Sequence, residues 1–64
     1  MELTVQDLLN IQTCLEISIE DQNTRCNTNP NEDVKKLYNH TIRSNINTLS
    51  KVTMLMQEAI SNLV

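Results

Sequence analysis

The chain has 64 residues and a formal net charge of −3, and it contains no Gly, Trp or Phe, one Pro and one Tyr. A chain of this length forms a single domain and buries only about 60% of its unfolded surface, so such chains usually need a disulfide, a metal or a partner chain as well. The acidic balance and the single aromatic residue disfavour a nucleic-acid-binding surface. The scarcity of Gly and Pro disfavours a β-sandwich or barrel.

The first predicted helix covers about residues 5–24. Thr4 and Asp7 form a capping-box-like pair at its start, in which the Thr4 hydroxyl can accept the backbone N–H of Asp7 and the Asp7 carboxylate lies at the positive end of the helix dipole. Leu9 and Ile17 lie outside the main apolar stripe, so the helix has more apolar surface than one partner helix covers. The stripe itself has the 3-4 spacing of a coiled-coil seam and consists of Val5, Leu8, Gln12, Leu15, Ile19, Gln22 and Cys26.

The second predicted helix covers about residues 30–63. Asn29 is its expected N-cap, Pro30 its first residue, and Glu32 completes an Asn-x-x-Glu box. No Pro or Gly interrupts the run that follows, and such long periodicity is typical of coiled coils and helical bundles. Its seam also alternates in steps of four and three and consists of Tyr38, Ile42, Asn45, Leu49, Val52, Met56, Ala59 and Leu63.

A short polar connection between two such helices makes them antiparallel neighbours, so we expect an all-α helical hairpin forming one domain over residues 1–64. Matching the two seams outward from the turn pairs Val5 with Val52. In this register Gln12 and Asn45 share a layer. They would form either a buried polar core layer, which fixes register and oligomeric state, or a pair that leans to solvent at the seam edge.

This register leaves the end of the second helix, beyond Val52, without a partner in the same chain. We expect this apolar overhang to drive homodimerisation, with two hairpins forming a four-helix bundle. The charges favour the hairpin, since residues 1–33 carry seven acids and one base, whereas residues 34–64 carry four bases and one acid. The expected dimer interface consists of Leu9, Ile17, Leu49, Val52, Leu55, Met56, Ala59, Ile60 and Leu63.

No arrangement of residues indicates catalysis, a cofactor or a metal site. His40 is the one histidine, Glu16 and Glu20 lack the histidines of a di-iron bundle, and glycine loops for phosphate are absent. Cys14 and Cys26 would lie about 18 Å apart on one helix, whereas bonded cysteines have Cα atoms about 4.4 to 6.8 Å apart. We interpret them as packing or surface residues, with an intermolecular bridge as the alternative.

These features predict a non-enzymatic structural or protein-interaction module that homodimerises. The alternative is a small acidic regulator or inhibitor, for example one encoded by a phage, whose overhang docks in a groove of a larger host protein. No apolar run reaches the roughly 18 residues of a membrane span, and no secretory leader is recognised. We therefore expect a cytoplasmic location and no membrane insertion.

The segment Asn31-Glu32-Asp33-Val34-Lys35-Lys36-Leu37-Tyr38, about 30 residues after the opening Thr4-Val5, resembles a small uncharacterised helical-hairpin family of endospore-forming Firmicutes. Members of that family have an Asn-x-x-Ala-Lys-x-Leu-Tyr run at the start of the second helix, and Val34 replaces the alanine here. Some members are encoded beside genes for spore-membrane channels. The resemblance implies a bacterial source and a sporulation setting, but no activity and no site residues.

Overall fold

The computed structural model describes residues 3–63, and the side chains of residues 3–62. Helix α1 spans Val5–Thr28 and helix α2 spans Glu32–Leu63, with no strand in the described part of the chain. The two helices pack against each other along a rod measuring 49 × 20 × 14 Å. The predicted all-α hairpin is confirmed.

Helix α1 begins at the predicted cap. The hydroxyl of Thr4 accepts the backbone N–H of Asp7 at 3.1 Å, and the Asp7 carboxylate accepts the backbone N–H of Thr4 at 2.9 Å. The helix ends at Thr28 rather than near residue 24. Its polar last turns are helical, and within them the hydroxyls of Thr24 and Thr28 donate to carbonyls four residues earlier, at 3.2 and 3.0 Å.

Helix α2 begins two residues later than expected because its N-cap is Asn31. The Asn31 side-chain oxygen accepts the backbone N–H groups of Asp33 at 2.9 Å and Val34 at 3.3 Å. The carbonyl of Asn31 accepts the first helical hydrogen bond, from Lys35, at 3.0 Å. Asp33 adds negative charge to the first turn, where the helix dipole favours it.

The prediction that Asn29 caps α2 is wrong. Asn29 is the C-cap of α1, and its N–H donates to the carbonyl of Cys26 at 3.3 Å. Its extended backbone, φ −84° and ψ 127°, is the conformation favoured immediately before a proline. Pro30 consequently lies in the connection rather than in the first turn of α2.

The register of the hairpin also differs from the predicted one. Gln12 donates its amide to the hydroxyl of Thr53 at 3.3 Å, eight residues further along α2 than the predicted partner Asn45. Asn45 instead donates to the side-chain oxygen of Gln22 at 2.9 Å, ten residues further along α1 than Gln12. The shift follows from the turn, since α1 continues to Thr28 and therefore meets α2 later along the chain.

The new register removes the predicted overhang. Leu3, which precedes α1, and Leu8 in α1 line one depression together with Leu55 and Ala59 of α2. Helix α1 therefore reaches almost to the end of α2. The prediction that residues beyond Val52 lack an intrachain partner is wrong.

The core of the hairpin is thin. The buried residues in the described part of the chain are Leu8, Cys26, Ile42 and Val52, and they retain 4% to 8% of their surface. Among the residues whose side chains are described, none is completely enclosed. A two-helix hairpin covers only one stripe of each helix, so the remaining faces of α1 and α2 are open.

Candidate interaction surface

The seam between the helices contains polar side chains, and each of them has a partner. Gln12 and Asn45 are both half-buried, but they bond Thr53 and Gln22 respectively, so they do not share a layer. The predicted polar core layer of Gln12 and Asn45 is therefore wrong as a pair. No buried side-chain nitrogen or oxygen in the described residues lacks a hydrogen bond. The described polar side chains of the seam are therefore satisfied within the hairpin.

The two cysteines are free and occupy different environments. Cys26 is buried near the turn, where its thiol lies 3.6 Å from both the carbonyl of Lys35 and the side-chain oxygen of Asn39. Cys14 is exposed on α1. Cys26 thus packs the turn end of the hairpin, and Cys14 lies on the surface.

The predicted interface residues fall into two groups in the structure. Val52 is buried, and Leu49, Met56 and Ala59 are half-buried at seam positions of α2, so these four already pack within the hairpin. The exposed members are Leu9, Ile17, Leu55 and Ile60. The side chain of Leu63 lies outside the described residues.

Large apolar side chains remain exposed on both helices, and the most exposed is Leu37, at 69%. Leu37 was missed by the sequence-based prediction because it does not belong to the main seam of α2. A search of α2 for a second repeat with the same 3-4 spacing would have identified Leu37. The large apolar residues exposed to solvent are Leu3, Leu9, Ile11, Ile17, Leu37, Ile46, Met54, Leu55 and Ile60.

Helix α2 carries a second stripe beside its seam. Its residues again alternate in steps of three and four, which places them on one face of the helix. The charged residues on this face are Lys51, past its middle, and Glu58, near its end. The second stripe consists of Val34, Leu37, Thr41, Ser44, Thr48, Lys51, Leu55, Glu58 and Asn62.

Two shallow depressions lie at the two ends of the second stripe. The turn-end depression has a volume of about 220 Å³ and is lined by Val34, Leu37, Tyr38 and Thr41. The open-end depression has a volume of about 370 Å³, and it includes side chains from the start of α1. It is lined by Leu3, Leu8, Leu55, Glu58, Ala59 and Asn62. Both have mainly apolar walls, which suit an aliphatic side chain better than a charged ligand.

Two bases at the turn end, Arg25 and Lys35, have acidic partners. Arg25 lies 2.8 Å from Asp21, and the hydrogen bond and charge of Asp21 raise the pKa of the Arg25 guanidinium. Lys35 lies 3.8 Å from Glu32. Each acid lies on the same helix as its base. Because both pairs are exposed to solvent, they add little to stability. They leave the turn end nearly neutral.

The open end of the hairpin is acidic. Asp7 lies in the first turn of α1, where the hydrogen bond from the backbone N–H of Thr4 holds the pKa of its carboxyl below the usual value. Glu58 lines the open-end depression on α2. The described residues place no basic side chain within ion-pair distance of either carboxylate. The second stripe therefore joins an acidic open end to a nearly neutral turn end.

In the described part of the chain, no three His, Cys, Asp or Glu side chains are grouped so that they could hold a metal ion. Over the same residues, neither helix has an apolar stretch long enough to cross a bilayer.

The chain matches no protein-family model, no curated protein and no solved structure. The resemblance to the sporulation family therefore stays a prediction.

Proposed function

We propose that this protein is a non-enzymatic interaction module whose hairpin self-associates into a dimeric four-helix bundle. The observation that supports this proposal is the thin core, in which no described side chain is fully enclosed although Leu37 and eight other large apolar residues are exposed. A helix that is apolar on two faces needs a second partner helix. A second hairpin supplies two such helices in a symmetric arrangement.

The exposed area supports the same proposal. The chain has a mass of 7.4 kDa and an accessible surface of 5118 Å². A compact monomer of this mass would expose about 4,200 Å², so the excess is about 900 Å². Each partner in a standard-sized interface buries about 800 Å². One interface between two copies would therefore bring the surface per chain close to that of a compact protein.

The surface available for association differs from the one expected from the sequence. Because the observed register leaves no overhang, Val52 and Met56 belong to the seam inside each hairpin. Replacing them would unfold the chain rather than only dissociate a dimer. The exposed residues that flank the seam, such as Leu55, are the ones free to contact a second chain. Variants that test self-association should therefore be placed there.

Sedimentation equilibrium of the purified chain at micromolar concentration tests the proposal. We expect a mass of twice 7.4 kDa for the wild type. Leu55→Asp should give a monomer that remains helical by circular dichroism, because a buried unpaired carboxylate would oppose association. The matched control is Met54→Asp, since Met54 is also exposed but points about 100° away around α2.

A folded wild-type monomer across the micromolar range would contradict self-association. If that monomer instead formed a stoichiometric complex with a larger protein, the alternative function of a regulator or inhibitor would replace the proposed self-association. A dimer that Leu55→Asp and Met54→Asp leave equally intact would keep the proposed function but place the interface elsewhere on the hairpin.

A further inference from the structure

The geometry points to one arrangement of the second copy: it packs on the second stripe about a two-fold axis beside Thr48, with Leu37 of each copy in the open-end depression of the other. The two turns then lie at opposite ends of the bundle. This inference rests on the proposed self-association and adds the face and the orientation. The first observation is the spacing of the stripe, which is self-complementary about its middle.

Thr48 lies midway between the features that would meet. Leu37 and Ala59 are each eleven residues from Thr48, and Thr41 and Leu55 are each seven residues from it. A two-fold axis perpendicular to α2 at Thr48 therefore brings Leu37 of one copy to Ala59 of the other, and Leu55 to Thr41. Such an isologous contact uses the same patch on both chains, as dimers of this symmetry require.

The shapes at the two ends agree with this pairing. Leu37 is the most exposed of the large apolar side chains described and needs a cavity to enter. The open-end depression offers the apolar walls of Leu3, Leu8, Leu55 and Ala59. In the other direction, Leu55 of the second copy reaches the turn-end depression beside Leu37. Each copy thus donates two leucines and receives two.

The middle of the stripe can be buried without leaving unpaired hydroxyls at its two threonines. The hydroxyl of Thr41 donates to the carbonyl of Leu37 at 3.1 Å, and that of Thr48 donates to the carbonyl of Ser44 at 3.1 Å. Because these donors are already bonded within α2, contact with a second helix does not cost their hydration. Lys51 lies one turn from the axis and is long enough to extend its ammonium group to solvent.

Charge selects between the two orientations that a face-to-face dimer allows. With both turns at the same end, Asp7 and Glu58 of the two copies would bring four carboxylates together, and like charges across an interface are unfavourable. With the turns at opposite ends, these acids face the turn end of the partner, where Arg25 and Lys35 each have an acidic neighbour. The second arrangement avoids the repulsion.

Cysteine crosslinking tests the axis directly. In a Cys14→Ser background, Thr48→Cys should form an intermolecular disulfide under mild oxidation, because residues at a two-fold axis approach within the 4.4 to 6.8 Å Cα separation that a disulfide needs. The control is Ser50→Cys, also exposed, which points about 200° away around α2 and should stay monomeric on a non-reducing gel.

A second pair of variants tests the leucine contact. Leu37→Asp should weaken dimerisation by about tenfold or more, because two leucines leave a buried position in each dimer, and it should leave helicity intact since Leu37 is largely exposed in the hairpin. Ile17→Asp, which alters a residue of similar exposure on α1, should leave the dimer unchanged.

The outcomes separate this inference from the proposed function. A wild-type dimer that does not crosslink through Thr48→Cys, or that crosslinks as well through Ser50→Cys, would overturn the axis and leave self-association standing. Loss of the dimer with Ile17→Asp but not with Leu37→Asp would overturn the face. A wild-type monomer would overturn both.

Discussion

Two asparagines on either side of Pro30 have different roles in the turn. Asn29 ends α1, and its side-chain oxygen accepts the N–H of Asn31 at 2.9 Å. Asn31 opens α2 by accepting two backbone N–H groups. The sequence does not separate these roles, because either residue is a good N-cap and an acid follows each one within three positions. The choice depends on where α1 stops.

Alanine variants at the two asparagines distinguish the two cap assignments. Asn31→Ala should lower the free energy of unfolding by about 1 kcal/mol, the usual loss for an N-cap. Asn29→Ala should cost less, because its side chain accepts only one N–H group within the connection. Urea unfolding at one fixed protein concentration measures both. A larger loss for Asn29→Ala would contradict the observed cap.

Asp7 makes stability depend on pH in the acid range. Its pKa is lowered in the folded chain chiefly because the carboxylate accepts the backbone N–H of Thr4. A carboxyl whose folded pKa is below the unfolded value of about 3.9 stabilises the fold above that pH, and the contribution is lost as pH falls through the folded pKa. Asp7→Asn should therefore be less stable than the wild type at neutral pH.

The same variant should lose less of its stability than the wild type when the pH is lowered from 7 to 3. Urea midpoints at the two pH values provide the comparison. Parallel pH profiles for Asp7→Asn and the wild type would show that the capping box does not contribute through the Asp7 charge.

At the scale of the helices, the two seams were predictable and their register was not. Among the described residues, the four buried ones, Leu8, Cys26, Ile42 and Val52, belong to the predicted seams or end them, because burial follows the 3-4 spacing of apolar residues. A seam that repeats every seven residues packs in several registers that bury similar residues. The polar partners and the turn then decide between the registers.

A double-mutant cycle tests the register. Gln22→Ala and Asn45→Ala remove the two ends of a half-buried hydrogen bond of 2.9 Å, so we expect a coupling energy of about 0.5–1.5 kcal/mol between them. Gln12→Ala and Asn45→Ala involve side chains with separate partners and should be additive within about 0.5 kcal/mol. Coupling in the second cycle and additivity in the first would indicate the register predicted from sequence.

The end of α1 escaped prediction for a related reason. Thr24 and Thr28 have weak helix propensity, and polar residues near a turn suggest a loop. In the structure their hydroxyls donate to helix carbonyls, and Arg25 pairs with Asp21 one turn earlier. These contacts exist only once the helix has formed, so a pattern of residue types does not reveal them. The four added residues displaced the register and removed the overhang.

The second stripe was also missed, although its spacing is as regular as that of the seam. Thr41, Ser44 and Thr48 appear polar when composition is considered alone. The two threonines can be buried against a second helix because hydrogen bonds within α2 satisfy the hydroxyls of Thr41 and Thr48. The apolar residues Leu37 and Leu55 at either end are separated by 18 positions, which hides their common face in any short window of sequence.

At the scale of the whole molecule, the proposed self-association would couple folding to dimer formation. The hairpin has 64 residues and no fully enclosed described side chain, so its own free energy of unfolding is small. Contact with a second copy would complete the burial of Leu37 and Leu55. Most of the stability of the folded chain should then come from the dimer, and the folded state should respond to protein concentration by mass action.

Thermal unfolding at several protein concentrations tests this coupling. The Tm of the wild type should rise steadily with concentration, because dilution favours dissociation of the folded pair. Leu37→Asp should lower the Tm at high concentration and remove most of its concentration dependence, since the exposed side chain contributes little to the isolated hairpin. Met54→Asp should keep the wild-type dependence, because the second stripe is untouched. A wild-type Tm independent of concentration would show that the hairpin is stable alone.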